Sequence, residues 1–246
     1  MDRMRKLRGY IREVLREAFE GADLPHGAAV YVIEDAKVVD IIVYNTELFQ
    51  NILDKKAVEL GLPEAAAMAA GTPGVVFAYI QIRPPWNDYG TCNGAWYVSM
   101  SAGRGYGKML YGLAYAATPN GLLMPDRDSV SDDAFKGWTK ASRSRRGISF
   151  DDVNNPKTPD PGDDCRLHKK GGDGDCGGRN PEVLNSAYPS QGWEKGVLEA
   201  GKAAHEAFME NLIEFGCDTE AVERSLKESS RVLFRTSLRG NGYDDD

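Results

Sequence analysis

Residues 94–138 read GAWYVSMSAGRGYGKMLYGLAYAATPNGLLMPDRDSVSDDAFKGW. Trp96, Tyr97 and Val98 are β-formers and open a strand that runs on through Ser99, Met100 and Ser101. Gly103, Gly105 and Gly107 then alternate with Arg104 and Tyr106, a spacing that predicts a loop. From Lys108 to Ala117 the residues Met109, Leu110, Leu113 and Ala117 recur three and four apart, the period of a helix, and Pro119-Asn120-Gly121 stops it. Leu122-Leu123-Met124 is a second short strand, and Ser131 to Lys140 a second helix. Strand, glycine loop, helix, strand, helix is the grammar of an α/β unit that binds a nucleotide or cofactor.

Glycines let the backbone turn sharply and approach a ligand closely, so that successive N–H groups converge on an anion. The helix behind the loop adds partial positive charge at its first turn. Arg104 and Lys108 add two full charges. A pyrophosphate is the natural guest. The dinucleotide fingerprint G-x-G-x-x-G fails, because position 108 is Lys where its third glycine belongs. The Walker loop fails as well, because Lys108 is followed by Met109 instead of Ser or Thr.

The ordered set resembles the acyl-CoA-binding unit of the GCN5-related N-acetyltransferases, the GNAT superfamily, over positions 75–140. In that family a splayed strand leads into a glycine-rich pyrophosphate loop and a helix, then a strand and a second helix. The run Leu123-Met124-Pro125-Asp126-Arg127-Asp128-Ser129-Val130-Ser131 is also similar to segments of GNAT-like proteins encoded by bacteriophages. The resemblance implies an α/β (α+β) fold: a mixed, mostly antiparallel sheet flanked by helices, with a C-terminal helical extension. Within it the strands at Trp96 and Leu122 are parallel neighbours that splay at the loop. It further implies acetyl-CoA as co-substrate. Val98, Ser99 and Met100 would pair with its pantetheine arm, and Gly103, Arg104, Gly105, Tyr106, Gly107 and Lys108 would hold its pyrophosphate. Ser131 and Phe135 would come from the second helix.

The sequence departs from the family pattern at two places. Ala102 stands where the loop usually opens with Gln or Arg, and Trp138 where a Tyr commonly protonates the departing thiolate. An indole N–H is no acid at neutral pH. Acetyl transfer to an amine requires loss of the amine's proton, a polarised thioester carbonyl and a tolerated thiolate. A backbone N–H at the splayed strand end could polarise the carbonyl. Asp126 and Asp128, at the end of the second strand, are the catalytic carboxylates this implies, with Glu34 a further candidate. The same Asp-Arg-Asp-Ser run is equally a good turn and helix entry, and Ser131 a plain N-cap. Two functions therefore stand side by side. One is an acyl-CoA-dependent N-acetyltransferase acting on a small-molecule or protein amine in a bacterial host's cytoplasm. The other is an inactive GNAT-like interaction or structural protein of a phage virion, partnered by viral proteins.

Upstream, residues 1–28 carry a basic amphipathic helix: Met4, Leu7, Ile11, Val14 and Ala18 form its stripe, and six Arg and Lys crowd the rest. It suits packing against the domain or a partner, or contact with a polyanion. Residues 29–150 form the GNAT-like domain. In it Ala29 to Ile33 and Val38 to Tyr44 make a hairpin, Thr46 to Leu60 a helix stopped by Gly61, Pro63 to Ala70 a further helical turn or two, and Val75 to Arg83 a strand. Residues 151–181 are Asp, Gly, Pro and Lys with few apolar residues, and so predict irregular structure. Residues 182–246 read as two helices, Trp193 to Phe215 and Thr219 to Leu238, making a hairpin against the sheet or another subunit, and an acidic tail. The two closing strands expected of the family are either replaced by these helices or hidden near Val183-Leu184 and Ser186-Ala187-Tyr188.

With 30 Lys and Arg against 37 Asp and Glu, a net charge of -7, the chain is no globally basic nucleic-acid binder. No apolar run has the length of a membrane span, and the charged start is unlike a secretory signal. Cys165, His168 and Cys176 supply three of the four ligands structural zinc requires, so no metal is expected. His26, His168 and His205 have no nucleophile in a recognisable arrangement and read as surface or satisfied core residues.

Overall fold

The computed structural model describes residues 24–35, 37–84, 94–103, 105–125, 130, 132–149, 183 and 186–240. In chain order the elements are β1 (Ala28–Asp35), β2 (Val38–Asn45), α1 (Thr46–Leu60), α2 (Leu62–Gly71), β3 (Val76–Arg83), β4 (Trp96–Ala102), α3 (Gly107–Ala117), β5 (Leu122–Met124), α4 (Asp132–Ser144), β6 (Ile148–Ser149), β7 (Ser186–Pro189), α5 (Trp193–Glu214) and α6 (Thr219–Gly240). The strands form one sheet in the order β1-β2-β3-β4-β5-β7-β6. Every neighbouring pair is antiparallel except β4 and β5, which run parallel with α3 as their crossover. The expected mixed, mostly antiparallel sheet with parallel strands either side of the glycine loop is what the chain forms. The basic helix expected near the start and the irregular stretch at 151–181 lie outside the described residues.

Strand alternation divides the core into two layers. On one face Val30, Ile41, Val43, Ile80, Ile82 and Val98 pack under Met109, Leu110 and Leu113 of α3 and Trp138 of α4. On the other, Ala29, Ile42, Tyr44 and Tyr79 lie under Phe49 and Leu53 of α1, four alanines of α2, and Val222 and Leu226 of α6. Helix α1 starts where Asn45 Oδ1 accepts the Leu48 N–H at 2.9 Å and ends at Gly61, whose φ of 82° suits glycine alone. The stretch expected to give a turn or two is the ten-residue helix α2. Its alanines let α6 come close enough for Ser229 to donate to the Ala70 carbonyl at 3.1 Å.

The C-terminal part differs from the sequence expectation in two ways. The closing strands exist, one at Ser186–Pro189 as suspected and one at Ile148–Ser149, which its two residues of length hid. The helices, moreover, do not pair as a hairpin. Helix α5 lies along β1 and α3, and α6 along α2 and β3, so their apolar faces are spent on the sheet. Helix α5 crosses from one face to the other past edge strand β1, giving Val197 and Leu198 to the first layer and Phe208 and Leu212 to the second. This covers an edge that would otherwise invite pairing.

Gly201 sits at that crossing, and a Cβ there would lie 2.7 Å from Val30 Cβ. Neither β1 nor the helix can give way cheaply, since both are in the core. We expect Gly201→Ala to lower stability by about 1–3 kcal/mol, the usual cost of overpacking, in urea titrations followed by circular dichroism. An unchanged midpoint would mean that α5 is not held against β1.

Candidate functional site

The parallel strands β4 and β5 pair only at Trp96↔Leu123 and Tyr97↔Met124. Strand β5 then ends, while β4 continues for five residues. Among the described residues, Val98 to Ala102 have no strand partner on that side. Opposite β3 the register of β4 slips, with Ile82 facing Val98 but Gln81 facing Met100, so Ser99 is a bulge residue. A bulge bends its strand and sharpens its twist. Beyond the point where β5 ends, a bent stretch of β4 with no strand partner on that side among the described residues leads into the glycine loop.

Each loop glycine has a different role. Gly103 has φ 133°, and a Cβ there would meet Ala78 Cβ at 2.9 Å, so glycine lets the chain leave the sheet tight against β3. Gly105 has φ 90° with nothing within 4 Å of a Cβ, and Gly107 likewise faces open space. The loop is pinned between them. The Tyr106 N–H donates to the Gly103 carbonyl at 3.1 Å, and the Tyr106 ring rests on Phe77, centroids 4.8 Å apart. Helix α3 then begins at Gly107 without a side-chain cap, leaving its first-turn donors directed to the helix start. The Lys108 ammonium lies 5.8 Å from the centroid of the Trp193 ring.

Two polar groups that the sequence did not single out meet the open edge from opposite faces. Tyr111 of α3 brings its phenol within hydrogen-bonding reach of Ser101, and its ring stands edge-on to Trp138 at 5.1 Å. Burial raises its pKa, only partly offset by the Ser101 hydroxyl, so it keeps its proton at neutral pH. On the α6 side Ser99 Oγ donates to Gln81 Oε1 at 2.8 Å, and Gln81 Nε2 donates to Asp40 Oδ1 at 2.8 Å. Tyr79 donates to the same Asp40 oxygen at 2.6 Å. Arg83 Nε donates to Gln81 at 3.1 Å. The buried Asp40 carboxylate is thus linked by hydrogen bonds to the bulge.

Of the residues expected at the site, Val98, Ser99, Met100, Gly103, Gly105, Tyr106, Gly107 and Lys108 are brought together along the edge and loop. The Val98 and Met100 side chains are turned into the two core layers. Phe135 is packed against the α3 side of the core. Arg104, Asp126, Asp128 and Ser131 lie outside the described residues. Glu34 is exposed near the end of β1, three strands away from β4, and is not part of the site. His205 is a satisfied core residue: Tyr44 OH lies 3.0 Å from its Nδ1, and Tyr31 stacks on it at 4.5 Å.

No group of His, Cys, Asp and Glu able to hold a metal occurs among the described residues, and none of their helices is long and apolar enough to cross a membrane. Cys165, His168 and Cys176 lie outside them. Set against protein-family models, curated proteins and solved structures, the chain matches none.

Proposed function

We propose that the chain is an acyl-CoA-dependent N-acetyltransferase of the GNAT kind, acting on an amine. One observation carries the reading: parallel β4 and β5 part company after two residue pairs, and the open edge of β4 runs directly into Gly103–Lys108. A pantetheine arm has amides that would hydrogen-bond to that edge as a strand does. The pyrophosphate would then fall by Gly105 and Gly107, where a Cβ would meet nothing within 4 Å among the described residues beyond its chain neighbours, at the start of α3.

Within this reading the acceptor amine attacks the thioester carbonyl, whose oxygen is met by a backbone N–H of the β4 edge. The C–S bond breaks and the sulfur takes a proton. Trp138 cannot supply it, being 1 % exposed and lacking an acidic proton. Tyr111, beside Trp138, sets a hydroxyl there that can donate a hydrogen bond to the departing thiolate; burial raises its pKa, so it steadies the sulfur while the proton comes from solvent. The amine's proton passes to a carboxylate. Asp126 and Asp128 follow β5 in sequence and retain that role here, and Asp40, tied to the bulge through Gln81 and Ser99, is a third candidate.

Calorimetric titration with acetyl-CoA tests the proposal. Micromolar binding supports it, and absence of heat at millimolar ligand defeats it. A second reading, a GNAT-like interaction protein of a virion without turnover, is favoured by Trp138, whose ring fills the core against Tyr188 at 5.6 Å where the family's acid would stand. Acetyl-CoA binding without acetylation or thioester hydrolysis would select it.

A further inference from the structure

We propose that Trp193 is the platform on which the adenine ring of the bound nucleotide stacks. The inference rests on the acyl-CoA reading above and adds a recognition element that the glycine loop does not supply. Trp193 is the first residue of α5, far from the loop in sequence, yet its indole lies against α3 at Gly112.

Several features hold the ring in that place. Gly112 lets it come up close to the helix, since a Cβ there would be 3.2 Å from the ring's outer carbon. The indole N–H donates to Gln191 Oε1 at 3.3 Å, and Gln191 Nε2 donates to the Ser144 carbonyl at 3.1 Å. The ring is therefore oriented before any ligand arrives. It is nevertheless 38 % exposed, so part of the ring is left accessible to a ligand.

Its position relative to the loop fits one occupant. Gly112 lies five residues into α3, about 7.5 Å along the axis from Gly107 at 1.5 Å per residue. That is the span of a ribose between a diphosphate on the helix start and a base on the indole. Lys108 lies between them, with its ammonium near the ring face, where it can meet a phosphate on one side and the π-system on the other. A purine stacked on an indole gains attraction from any orientation of its edge, so the platform selects for a base without hydrogen-bond readout.

The test uses ADP, acetyl-CoA and phosphopantetheine as probes on the whole chain. ADP should quench tryptophan emission saturably in the parent. Trp193→Phe should abolish the quenching while keeping ADP affinity within about threefold, because a benzene ring still stacks. Trp193→Ala should weaken both ADP and acetyl-CoA by about tenfold or more, the scale of one base–aromatic stack, and leave phosphopantetheine unaffected. If Trp193→Ala fails to fold, the quenching in the parent and its loss in Trp193→Phe decide the matter. Acetyl-CoA binding without quenching, and unchanged in the alanine variant, overturns the platform and leaves the acyl-CoA site standing. Quenching by ADP with acetyl-CoA no tighter than ADP upholds the platform and removes support for the acyltransferase. Absence of binding by every probe overturns both.

Discussion

Replacing Glu194 by alanine is expected to remove about 3–5 kcal/mol of stability, the cost of stranding one member of a buried ion pair. Glu194 is fully buried and its Oε1 lies 2.6 Å from Arg145, whose side chain is 9 % exposed. The other oxygen accepts from Ser190 Oγ at 3.1 Å and the Gln191 N–H at 2.9 Å. Arg145 also donates to the Pro189 carbonyl and lies 4.1 Å from the centre of the Tyr115 ring. One carboxylate therefore joins the segment after α4, the end of β7 and the first turn of α5. Without it the guanidinium charge stays buried among apolar groups. Urea unfolding measures the loss, and a cost under about 1 kcal/mol would show that the pair is solvated. The double variant Glu194→Leu with Arg145→Met should recover much of it, because both charges leave together.

The same carboxylate gives the fold an acid limit. Desolvation pushes the Glu194 pKa up, but hydrogen bonds from Arg145 and its neighbours outweigh this and hold it below the ordinary value of 4.5. A depressed carboxyl contributes stability that is present above its unfolded pKa and lost as pH falls through the folded one. His205 acts at higher pH. Burial lowers its pKa from 6.5 to about 4, so between those values the unfolded chain binds the extra proton and stability falls as pH falls. Stability should thus begin to decline below about pH 6.5. His205→Gln should remove that first decline and leave the one below pH 4.5 in place. A decline of unchanged onset in His205→Gln would assign it to another group.

Gly105→Val is expected to abolish acetyl-CoA binding while lowering the melting temperature only slightly. At φ 90° a branched side chain is strained, at a cost on the order of 1–2 kcal/mol, yet among the described residues beyond its chain neighbours no atom lies within 4 Å of its Cβ. The side chain would stand in the space assigned to the phosphates. Gly103→Val is the poorer test, because a Cβ there strikes Ala78 and damages the sheet itself. Arg104→Ala should weaken binding by about tenfold, the scale of one charge-assisted hydrogen bond. Calorimetry with both variants decides. Parent-like binding in both would place the nucleotide elsewhere.

The sequence alone determined most of the elements, from β1 through α3 and the two long C-terminal helices. Asn45 and Gly61 mark the ends of α1 because capping and positive φ are local requirements. The glycine spacing announced a tight turn, and the helical period of Met109 to Ala117 announced the crossover that makes β4 and β5 parallel. These features need only neighbours in the chain, so they can be read from it.

Tertiary structure alone decided the rest. The two-residue strand β6 carries no periodicity and exists because β7 pairs with it. The bulge at Ser99 depends on the slip against β3, and the open edge of β4 on where β5 stops. Tyr111 reads as an ordinary helical residue until α3 packs and sets its phenol beside Ser101. Glu194, charged and close to a helix start, reads as a solvated residue until Arg145 arrives from 49 positions away. Trp193 and Lys108 likewise belong to distant segments. Contacts between remote segments are chosen by how whole faces bury one another, and burial is a property of the assembled layers that no local pattern encodes.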